Sequence, residues 1–422
     1  MASPASRTHA PELAASTALA ATVDALRAGD VQAAERLWQR AERAGGPLVE
    51  ELPGDPEHRA VTFLWRDAED PAPDVLLLLD TVTDRHRDEL GPAILRPVAG
   101  AGLRAVTYRL RSDVRASYCF HVAPRIAPDA GTVREDWWTI VRTTVPDPLN
   151  ADRMRAIGDR EVCVLTLPDA PAQPWRTPAG EPQGRVERHL VPTERLGGER
   201  ETWVYLPPGD ALERAGVATA PLDVAVLLDG DVWGTAVPIA PTLDALIAAG
   251  AIPPLCVLMP HSLDGPTRMR EMGMDAALVG FLRDELLPWA AGRWPLTADA
   301  GRTVVAGQSM GGLAALFAGF SAPERFGNVL SQSGSYWWPE DDDGTQHERA
   351  VAWIADRAPG AADPRTWLEV GRHEWMLLDG NRRIRDALRA RGGRLSYREY
   401  GGGHDYACWR GGLADGLIAL LG

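Results

Sequence analysis

The stretch VVAGQSMGG, residues 304–312, decides the fold of this chain. It opens on β-branched residues typical of a buried strand, and it runs into GLAALFAGF, whose apolar and small residues are typical of a helix. Between the two lies Gly-x-Ser-x-Gly, with Ser309 at its centre. A serine in a tight turn between a strand and a helix has the position of a catalytic nucleophile, whereas a glycine-rich bend without these neighbours would carry no such meaning. The context therefore predicts that Ser309 is a nucleophile.

Two glycines give this turn its physical basis. Ser309 must adopt a strained backbone conformation, and Gly307 and Gly311 let the strand and the helix approach without Cβ clashes. The first amides of the helix, beginning with Met310, would then stabilise a developing oxyanion. A second amide donor is expected from the turn in VLLDGDVWG, where Asp231 follows a buried strand.

Strands alternate with helices after residue 184, which is typical of a mostly parallel sheet covered by helices on both faces. Functional sites in such sheets gather at the C-terminal ends of the strands. The sequence thus predicts an α/β fold with an α/β-hydrolase domain at 184–422. Its predicted strands are ERETWVYLP, LDVAVLLD, PLCVLMPH, RTVVAGQS, GNVLSQSG, TWLEVG and LSYREYGG.

Short extended runs separated by Pro, Gly and Asp precede this domain, among them AVTFLWRD, DVLLLLDT, LRAVTYRLRS and ASYCFHVAP. They predict a smaller antiparallel β-sandwich at 35–150. A leader at 1–34 is expected to be disordered to about residue 20 and then helical, with helical spacing over 24–44. Residues 151–183, rich in Pro, Ala and Gly, are predicted to form a linker that holds one strand, REVCVLTLP.

A nucleophilic serine needs a base, which this fold supplies later in the chain. Three histidines follow Ser309. His347 lies in a charged loop and His373 follows a strand end, whereas His404 lies in YGGGHDYACWRGG, predicted to be a flexible glycine loop after the last strand. We therefore expect His404 to be the base.

The orienting acid should lie between the serine and the histidine, because this fold orders its triad as Ser, acid, His. Glu374 follows the strand TWLEVG and is the expected acid. Asp379 is the alternative, although it could simply cap a helix. Asp405 adjoins the histidine in sequence, which gives it poor geometry for orienting the ring. A Ser–His dyad without an acid is the third possibility.

Composition excludes several classes of partner. The net charge of −14 argues against nucleic acid or an anionic membrane, and no run approaches the length of a membrane helix. The four cysteines lie far apart, without metal-ligand spacing, and no metal site is predicted. The N-terminus does not resemble a signal peptide, so a cytoplasmic location is expected. Every basic residue is an arginine, whose planar fork suits anionic ligands.

The chain resembles the enterochelin (ferric enterobactin) esterase family of α/β-hydrolases. The resemblance is carried by the segments 302–339, with QSGSYWWP at its end, 401–413 (GGGHDYACWRGGL), 226–243 and 185–205, and in the N-terminal half by VTFLWR, RASY and DPLN. It implies Ser309 as nucleophile, His404 as base and an N-terminal substrate-recognition domain. Because members of the family have a poorly placed acid or none, it does not decide between Glu374 and a dyad.

The resemblance also implies a substrate, a ferric tris-catecholate siderophore built on a cyclic triester. Arg268 matches a family arginine that is expected to meet the anionic headgroup, although PHSLDGP (260–266) before it departs from the family pattern. Iron would arrive inside the substrate, so no cofactor is expected. Arg200 is expected to be either a second anion contact or part of a surface salt bridge.

Tryptophans are the remaining candidates for the pocket wall, because indoles stack on flat catechol rings. Four of them lie in loops predicted at strand ends, and each could equally be packed in the core: Trp233, Trp337, Trp338 and Trp409.

Two other functions fit the sequence. The first is another serine esterase or acyltransferase on the same scaffold, such as a feruloyl or carbohydrate esterase. The second is a siderophore binder that has lost turnover, against which the presence of both Ser309 and His404 argues.

Overall fold

The computed structural model describes residues 12–67, 73–156, 158, 160–176, 184–209, 220–341, 345–357 and 363–422. The chain divides into two compact units. The N-terminal unit comprises Ser3–Pro171 and Tyr400–Cys408, and the C-terminal unit comprises Ala172–Glu399 and Trp409–Gly422. None of the helices in the described residues is long and apolar enough to cross a membrane.

The N-terminal unit begins with two helices, α1 (Thr17–Arg27) and α2 (Ala33–Ala44). The expected disorder up to about residue 20 is wrong for the described part of the leader, because the side chain of Ser16 caps α1 by accepting the amide of Leu19 at 3.1 Å. The single helical segment predicted over 24–44 is interrupted at Gly29, whose φ of 93° ends the first helix. Residues 1–11, where the rest of the predicted disorder falls, lie outside the described residues.

Two antiparallel sheets follow and form the predicted sandwich. The strands are β1 (Leu48–Leu52), β2 (Asp55–Arg66), β3 (Asp74–Leu79), β4 (Arg96–Val98), β5 (Leu103–Arg111), β6 (Arg115–Ala123), β7 (Thr144–Val145), β8 (Arg153–Ala156) and β9 (Arg160–Thr166). One sheet has the order β1-β2-β5-β4, and the other has the order β3-β6-β9-β8, with β7 beside β6. Two short helices, α3 (Val82–Arg85) and α4 (Arg134–Arg142), connect the strands. Apolar side chains from both sheets form one buried core, which makes this unit a β-sandwich.

The predicted linker at 151–183 is wrong in its first half. Strand β9 pairs with both β6 and β8, and its run VCVL is buried, so these residues belong to the sandwich. Because a Pro- and Ala-rich segment follows β9, the composition of 151–183 as a whole did not indicate that β9 belongs to the sandwich. The unit therefore extends to Pro171 rather than to 150. Residues 177–183 of the predicted linker lie outside the described residues.

The C-terminal unit has an eight-stranded sheet in the order β10-β11-β13-β12-β14-β15-β16-β17. These strands are β10 (Arg185–Thr193), β11 (Gly198–Leu206), β12 (Asp223–Leu227), β13 (Leu255–Pro260), β14 (Thr303–Gln308), β15 (Asn328–Gln332), β16 (Arg365–Gly371) and β17 (Leu395–Tyr400). Strands β13, β12, β14, β15 and β16 are parallel to one another, whereas β10 and β11 form an antiparallel hairpin at one edge. The seven strands predicted for this domain are confirmed, and β10 is an additional one.

The helices of this unit are α5 (Ala240–Ala248), α6 (Gly265–Met272), α7 (Ala276–Gly280), α8 (Leu287–Ala291), α9 (Met310–Ser321), α10 (Arg349–Asp356), α11 (Leu378–Ala390) and α12 (Tyr406–Leu421). Helices α6 to α11 share a large buried cluster of aliphatic and aromatic side chains with the strands. Helices α5 and α12 also bury apolar side chains, such as Leu243 and Leu413. A wider helical turn at Phe281–Leu286 joins α7 to α8, so the helical path is continuous from Ala276 to Ala291. The α/β fold predicted from the alternation of strands and helices is confirmed.

Two motifs of the N-terminal unit meet in its core. Tyr118, from RASY, donates its hydroxyl hydrogen to Asp147 Oδ2 at 2.7 Å, and Asn150 Nδ2, from DPLN, donates to Tyr118 Oη at 3.1 Å and to the Val164 carbonyl at 3.0 Å. Burial raises the pKa of Asp147, and the hydrogen bond from Tyr118 opposes this shift. These polar groups satisfy one another, which permits their burial.

We predict that Tyr118→Phe destabilises this unit by about 1–3 kcal/mol, because it leaves the buried Asp147 carboxyl without one of its donors. Urea unfolding measures the loss. Tyr108→Phe is the matched control, since Tyr108 is also buried but its hydroxyl makes only a 3.4 Å contact with the Pro92 carbonyl. Equal losses in the two variants would contradict a special role for the Tyr118 cluster.

Candidate active site

Ser309 lies in the turn between β14 and α9, as predicted. Its φ of 58° and ψ of −122° are outside the regions that non-glycine residues normally adopt. The amide of Ser309 donates to the Gln332 carbonyl at 3.0 Å, and its hydroxyl lies 3.3 Å from Ser335 Oγ. The side chain is partly exposed. This strained, anchored turn is the geometry of a nucleophile elbow.

The glycines of the motif are required for close approach. A Cβ on Gly307 would overlap the carbonyl of Gly311, and a Cβ on Gly312 would lie 2.8 Å from Ser331 Oγ. A Cβ on Gly311 would lie 3.3 Å from Asp229 Oδ2, which places that carboxylate beside the first turn of α9. The sequence-based explanation therefore holds for Gly307, whereas a Cβ on Gly311 would make only a tight contact.

The turn that carries the second predicted oxyanion donor follows β12. Asp229 has a φ of 60°, and Gly230 lies so close to the Met259 carbonyl that no side chain would fit there. The carboxylate of Asp231 accepts from the Ser262 hydroxyl at 2.8 Å, so its charge has a partner in the neighbouring loop. The roles of the Met310 and Asp231 amides as oxyanion donors stay predictions.

Arg268 is paired inside the protein. Its Nε and Nη2 donate to the two carboxylate oxygens of Asp229, each at 2.7 Å, and Nη2 lies 3.4 Å from the Gln308 carbonyl. Asp229 is only 2% exposed, and a buried carboxylate needs such a partner. Arg268 thus links the oxyanion turn to the end of the serine-bearing strand, and its expected contact with an anionic headgroup stays a prediction.

A row of buried polar side chains crosses the strand ends beneath Ser309. Trp233 Nε1 donates to Gln308 Oε1 at 2.8 Å, Gln308 Nε2 donates to Gln332 Oε1 at 2.7 Å, and Gln332 Nε2 donates to Glu369 Oε1 at 2.6 Å. Arg398 donates to the other oxygen of Glu369. Burial raises the pKa of Glu369, whereas Arg398 and Gln332 act in the opposite direction. The row ties β14, β15 and β16 together.

Glu374 lies after β16, as expected, and is 1% exposed. Its Oε1 accepts from the Ser333 hydroxyl at 2.6 Å and from the Gly371 amide at 2.7 Å. Asp379 lies in the first turn of α11 with a side chain that is 71% exposed, and it forms an ion pair with Arg382. Asp379 does not cap this helix, because the N-cap residue is Leu377, and the choice between Glu374, Asp379 and a dyad stays a prediction.

His404 belongs to the Tyr400–Cys408 segment of the N-terminal unit. Its amide donates to Thr81 Oγ1 at 2.8 Å, and the neighbouring Asp405 accepts the amide of Ser117 at 2.5 Å. The expectation of a flexible glycine loop is wrong, because the loop is largely buried and is hydrogen-bonded to β6 and to the turn that carries Thr81. The pairing of the His404 ring with Ser309 Oγ stays a prediction.

Three of the predicted candidates for substrate contact are buried and hydrogen-bonded within the protein, and their role in binding stays a prediction. Arg200 is 3% exposed and donates to both oxygens of Glu271 at 2.9 Å. Trp233 is 1% exposed within the polar row, and Trp409 is 2% exposed and donates to Ser333 Oγ at 2.9 Å. Each of them satisfies a buried polar group that a sequence pattern does not reveal. Trp337 and Trp338 are partly exposed and pack edge to face, so they keep their predicted role as candidates.

Sequence reasoning missed the residues that hold the candidate groups in place. The sequence patterns predict no role for Asp229, Gln332, Ser333 or Thr81. Only Asp229 carries a local signal, as an acid two residues before the predicted oxyanion donor. Among the described residues, no cluster of His, Cys, Asp and Glu could hold a metal ion.

We predict that Arg268→Ala lowers kcat/KM by a similar factor, about tenfold or more, for anionic and for small neutral esters. The loss of Arg268 leaves the Asp229 carboxylate unpaired beside the turn that carries Asp231, which disturbs the site whatever the substrate charge. Steady-state kinetics on p-nitrophenyl butyrate and on an anionic ester measure both effects.

The matched control for this prediction is Arg382→Ala, which breaks a two-bonded pair with Glu399 in the same unit, away from the turn. We expect it to retain activity. A loss confined to the anionic ester in Arg268→Ala would instead support direct contact between Arg268 and the substrate.

Comparison with known proteins identifies the family of this chain. The profile of the Esterase family matches residues 193–420, and that of the enterochelin esterase N-terminal domain matches residues 60–176. The iron(III) enterobactin esterase of Escherichia coli (strain K12) is 35% identical over 398 residues, which cover 92% of this chain and 96% of that protein.

Solved structures give the same result. An enterobactin esterase from Shigella flexneri, crystallised in the presence of enterobactin, has a TM-score of 0.78 at 34% identity and covers 92% of this chain and 97% of that chain. The ferric enterobactin esterase of Salmonella typhimurium has a TM-score of 0.80 at 33% identity, with coverage of 89% and 96%. The resemblance found in the sequence is confirmed, and the chain belongs to the enterochelin esterase family.

Proposed function

We propose that this protein is a serine esterase that hydrolyses the trilactone backbone of a ferric catecholate siderophore, such as enterobactin, and thereby releases the iron. The observation that carries the proposal is the strained Ser309 turn between β14 and α9 in a chain of this family. The relatives are named for enterobactin, and both the catalytic and the N-terminal parts of the family are matched here.

The reaction is an acyl transfer in two steps. Ser309 Oγ attacks a lactone carbonyl while His404 takes the hydroxyl proton, and the amides of Met310 and Asp231 stabilise the oxyanion. The C–O bond of the lactone then breaks, and the proton on His404 passes to the leaving serine hydroxyl of the substrate. Water, deprotonated by His404, attacks the acyl-enzyme and restores Ser309.

Glu374 is the acid that we assign to this base. It follows β16, which is two strands from β14, so the two strand ends are separated by about 10 Å. The Ser333 hydroxyl and the Gly371 amide donate to its Oε1 and fix its position. A fixed carboxylate orients the imidazole and stabilises the imidazolium that forms during the reaction.

The substrate assignment agrees with the side chains near the strand ends. Trp337 and Trp338 offer partly exposed indole rings on which flat catechol rings can stack. We assign no resident cofactor to the reaction, since the iron is part of the substrate. The cytoplasmic location expected from the sequence stays a prediction.

We predict that the wild-type protein converts ferric enterobactin to its linear trimer and shorter fragments, and that Ser309→Ala abolishes these products because the acyl-enzyme cannot form. Mass spectrometry of the products is the measurement. Ser321→Ala, at the exposed far end of the same helix, controls for effects on the helix and should retain turnover. Turnover of feruloyl sugar esters with no action on trilactones would contradict the substrate assignment.

We predict that Glu374→Gln lowers kcat by about 10²–10⁴-fold, as expected when the partner of a catalytic histidine loses its charge. Asp379→Asn should leave kcat unchanged, because this carboxylate lies in an exposed helix turn. Steady-state kinetics on p-nitrophenyl butyrate decide between them. Small effects in both variants would mean that the enzyme works as a Ser–His dyad.

A further inference from the structure

The loop that carries His404 is built into the N-terminal unit, although it follows a strand of the hydrolase sheet in the sequence. Arg115 on β6 donates its amide hydrogen to the Gly401 carbonyl at 2.9 Å, and its own carbonyl accepts from Cys408 Sγ at 3.2 Å. Asp405 accepts the Ser117 amide, from the same strand, at 2.5 Å. One edge of β6 thus holds the loop on both sides of His404.

Thr81 completes this attachment at the histidine itself. Its hydroxyl accepts from the His404 amide at 2.8 Å and donates to Asp80 Oδ1 at 2.5 Å, so it acts both as an acceptor and as a donor. Thr81 is 4% exposed and has a φ of 63°, which is unfavourable for a β-branched residue. Strain of this kind, of order 1–3 kcal/mol, persists only where the surroundings enforce it, and it clusters at functional sites.

The glycines of the loop serve this close packing. A Cβ on Gly401 would lie 2.5 Å from the Asp113 carbonyl, one on Gly402 would lie 2.6 Å from Cys408 Sγ, and one on Gly403 would overlap the side chain of Thr81. None of the three has a positive φ. The glycines are therefore present because the loop is pressed against the sandwich, and not because it bends sharply.

We propose that the N-terminal sandwich positions the catalytic base, and that the Thr81 hydroxyl is the positioning residue that fixes His404 for proton transfer. This inference rests on the function proposed above, in which His404 serves Ser309. A base has to be held to within about 0.5 Å of its productive position, and a displacement of 1 Å can cost about 10²-fold in rate. The contacts that would position the base all lie within one unit, between the 400–408 loop, β6 and Thr81.

His404 also lies within electrostatic range of a buried acid of the same unit, Asp84. Burial raises the pKa of Asp84 to about 6, and Arg87, Arg160 and His404 act in the opposite direction, whereas Asp405 adds to the rise.

The experiment compares Thr81→Val, which removes the hydroxyl at nearly constant volume, with Thr81→Ser, which keeps it. Thr62→Val is the matched control, because Thr62 is buried in the same unit and its hydroxyl lies 2.9 Å from that of Thr107. Thr62 and Thr107 face each other on β2 and β5, in the sheet that does not contain β6. Two readouts are used on each full-length variant: kcat and KM for p-nitrophenyl butyrate, and the rate at which a fluorophosphonate labels Ser309.

We expect Thr81→Val to lower kcat and the labelling rate at least about tenfold with KM within twofold, while Thr81→Ser and Thr62→Val stay close to wild type. Wild-type kcat in Thr81→Val, or an equal loss in Thr62→Val, would overturn the proposal. If Thr81→Val does not fold, Asp405→Asn, which weakens the second attachment of the loop, must show the same fall in kcat at constant KM, and its absence overturns the proposal.

The two readouts distinguish a failure of the role proposed for Thr81 from a failure of the proposed function. If wild-type protein labels at Ser309 and cleaves the neutral ester but leaves ferric enterobactin intact, the substrate assignment fails while the Thr81 comparison remains valid. If Ser309 is not labelled in the wild type and no ester is cleaved, the proposed function fails, and the role of Thr81 fails with it.

Discussion

The position of the serine turn depends on the buried row of hydrogen bonds that joins Gln308, Gln332 and Glu369 across three parallel strands. Gln308 directly precedes Ser309, and the carbonyl of Gln332 accepts the Ser309 amide. Gln332 therefore anchors the backbone of the turn through its carbonyl, and the hydrogen bond between the Gln308 and Gln332 side chains fixes the strand end next to it. Because every member is satisfied, the row can be buried at little cost and can fix the strand ends relative to one another.

Arginine pairs complete this arrangement, in a chain without lysine. Asp229, Glu271 and Glu369 are buried carboxylates, and each is met by an arginine through two nitrogen atoms. A planar fork satisfies both oxygens of a carboxylate, whereas an ammonium group is a point charge. These pairs contribute more to fixing the positions of the side chains than to the free energy of folding, because the cost of removing the charges from water offsets much of their attraction. They keep the turns around the site in one conformation.

The sequence was sufficient where the determinants are local. The strand, turn and helix around Ser309 follow from adjacent residues, and so do the seven strands of the hydrolase sheet. The sequence patterns failed where the contacts are distant in sequence. Strand β9 was predicted to lie in a linker, because its pairing with β6 and β8 is not visible in the local sequence. The pairing of Arg200 with Glu271, 71 residues away, was likewise not predictable from the sequence. The glycines before His404 suggested mobility, because nothing local revealed the sandwich against which they pack.

The return of residues 400–408 to the first unit has an evolutionary consequence. Two domains joined only by a linker can be exchanged between relatives by recombination at that linker. Here the 400–408 loop and the sandwich to which it is hydrogen-bonded lie at opposite ends of the chain, so an exchange before Ala172 would separate them. A chain that exchanged only the residues before Ala172 would therefore need a matching change in residues 400–408 to keep these contacts.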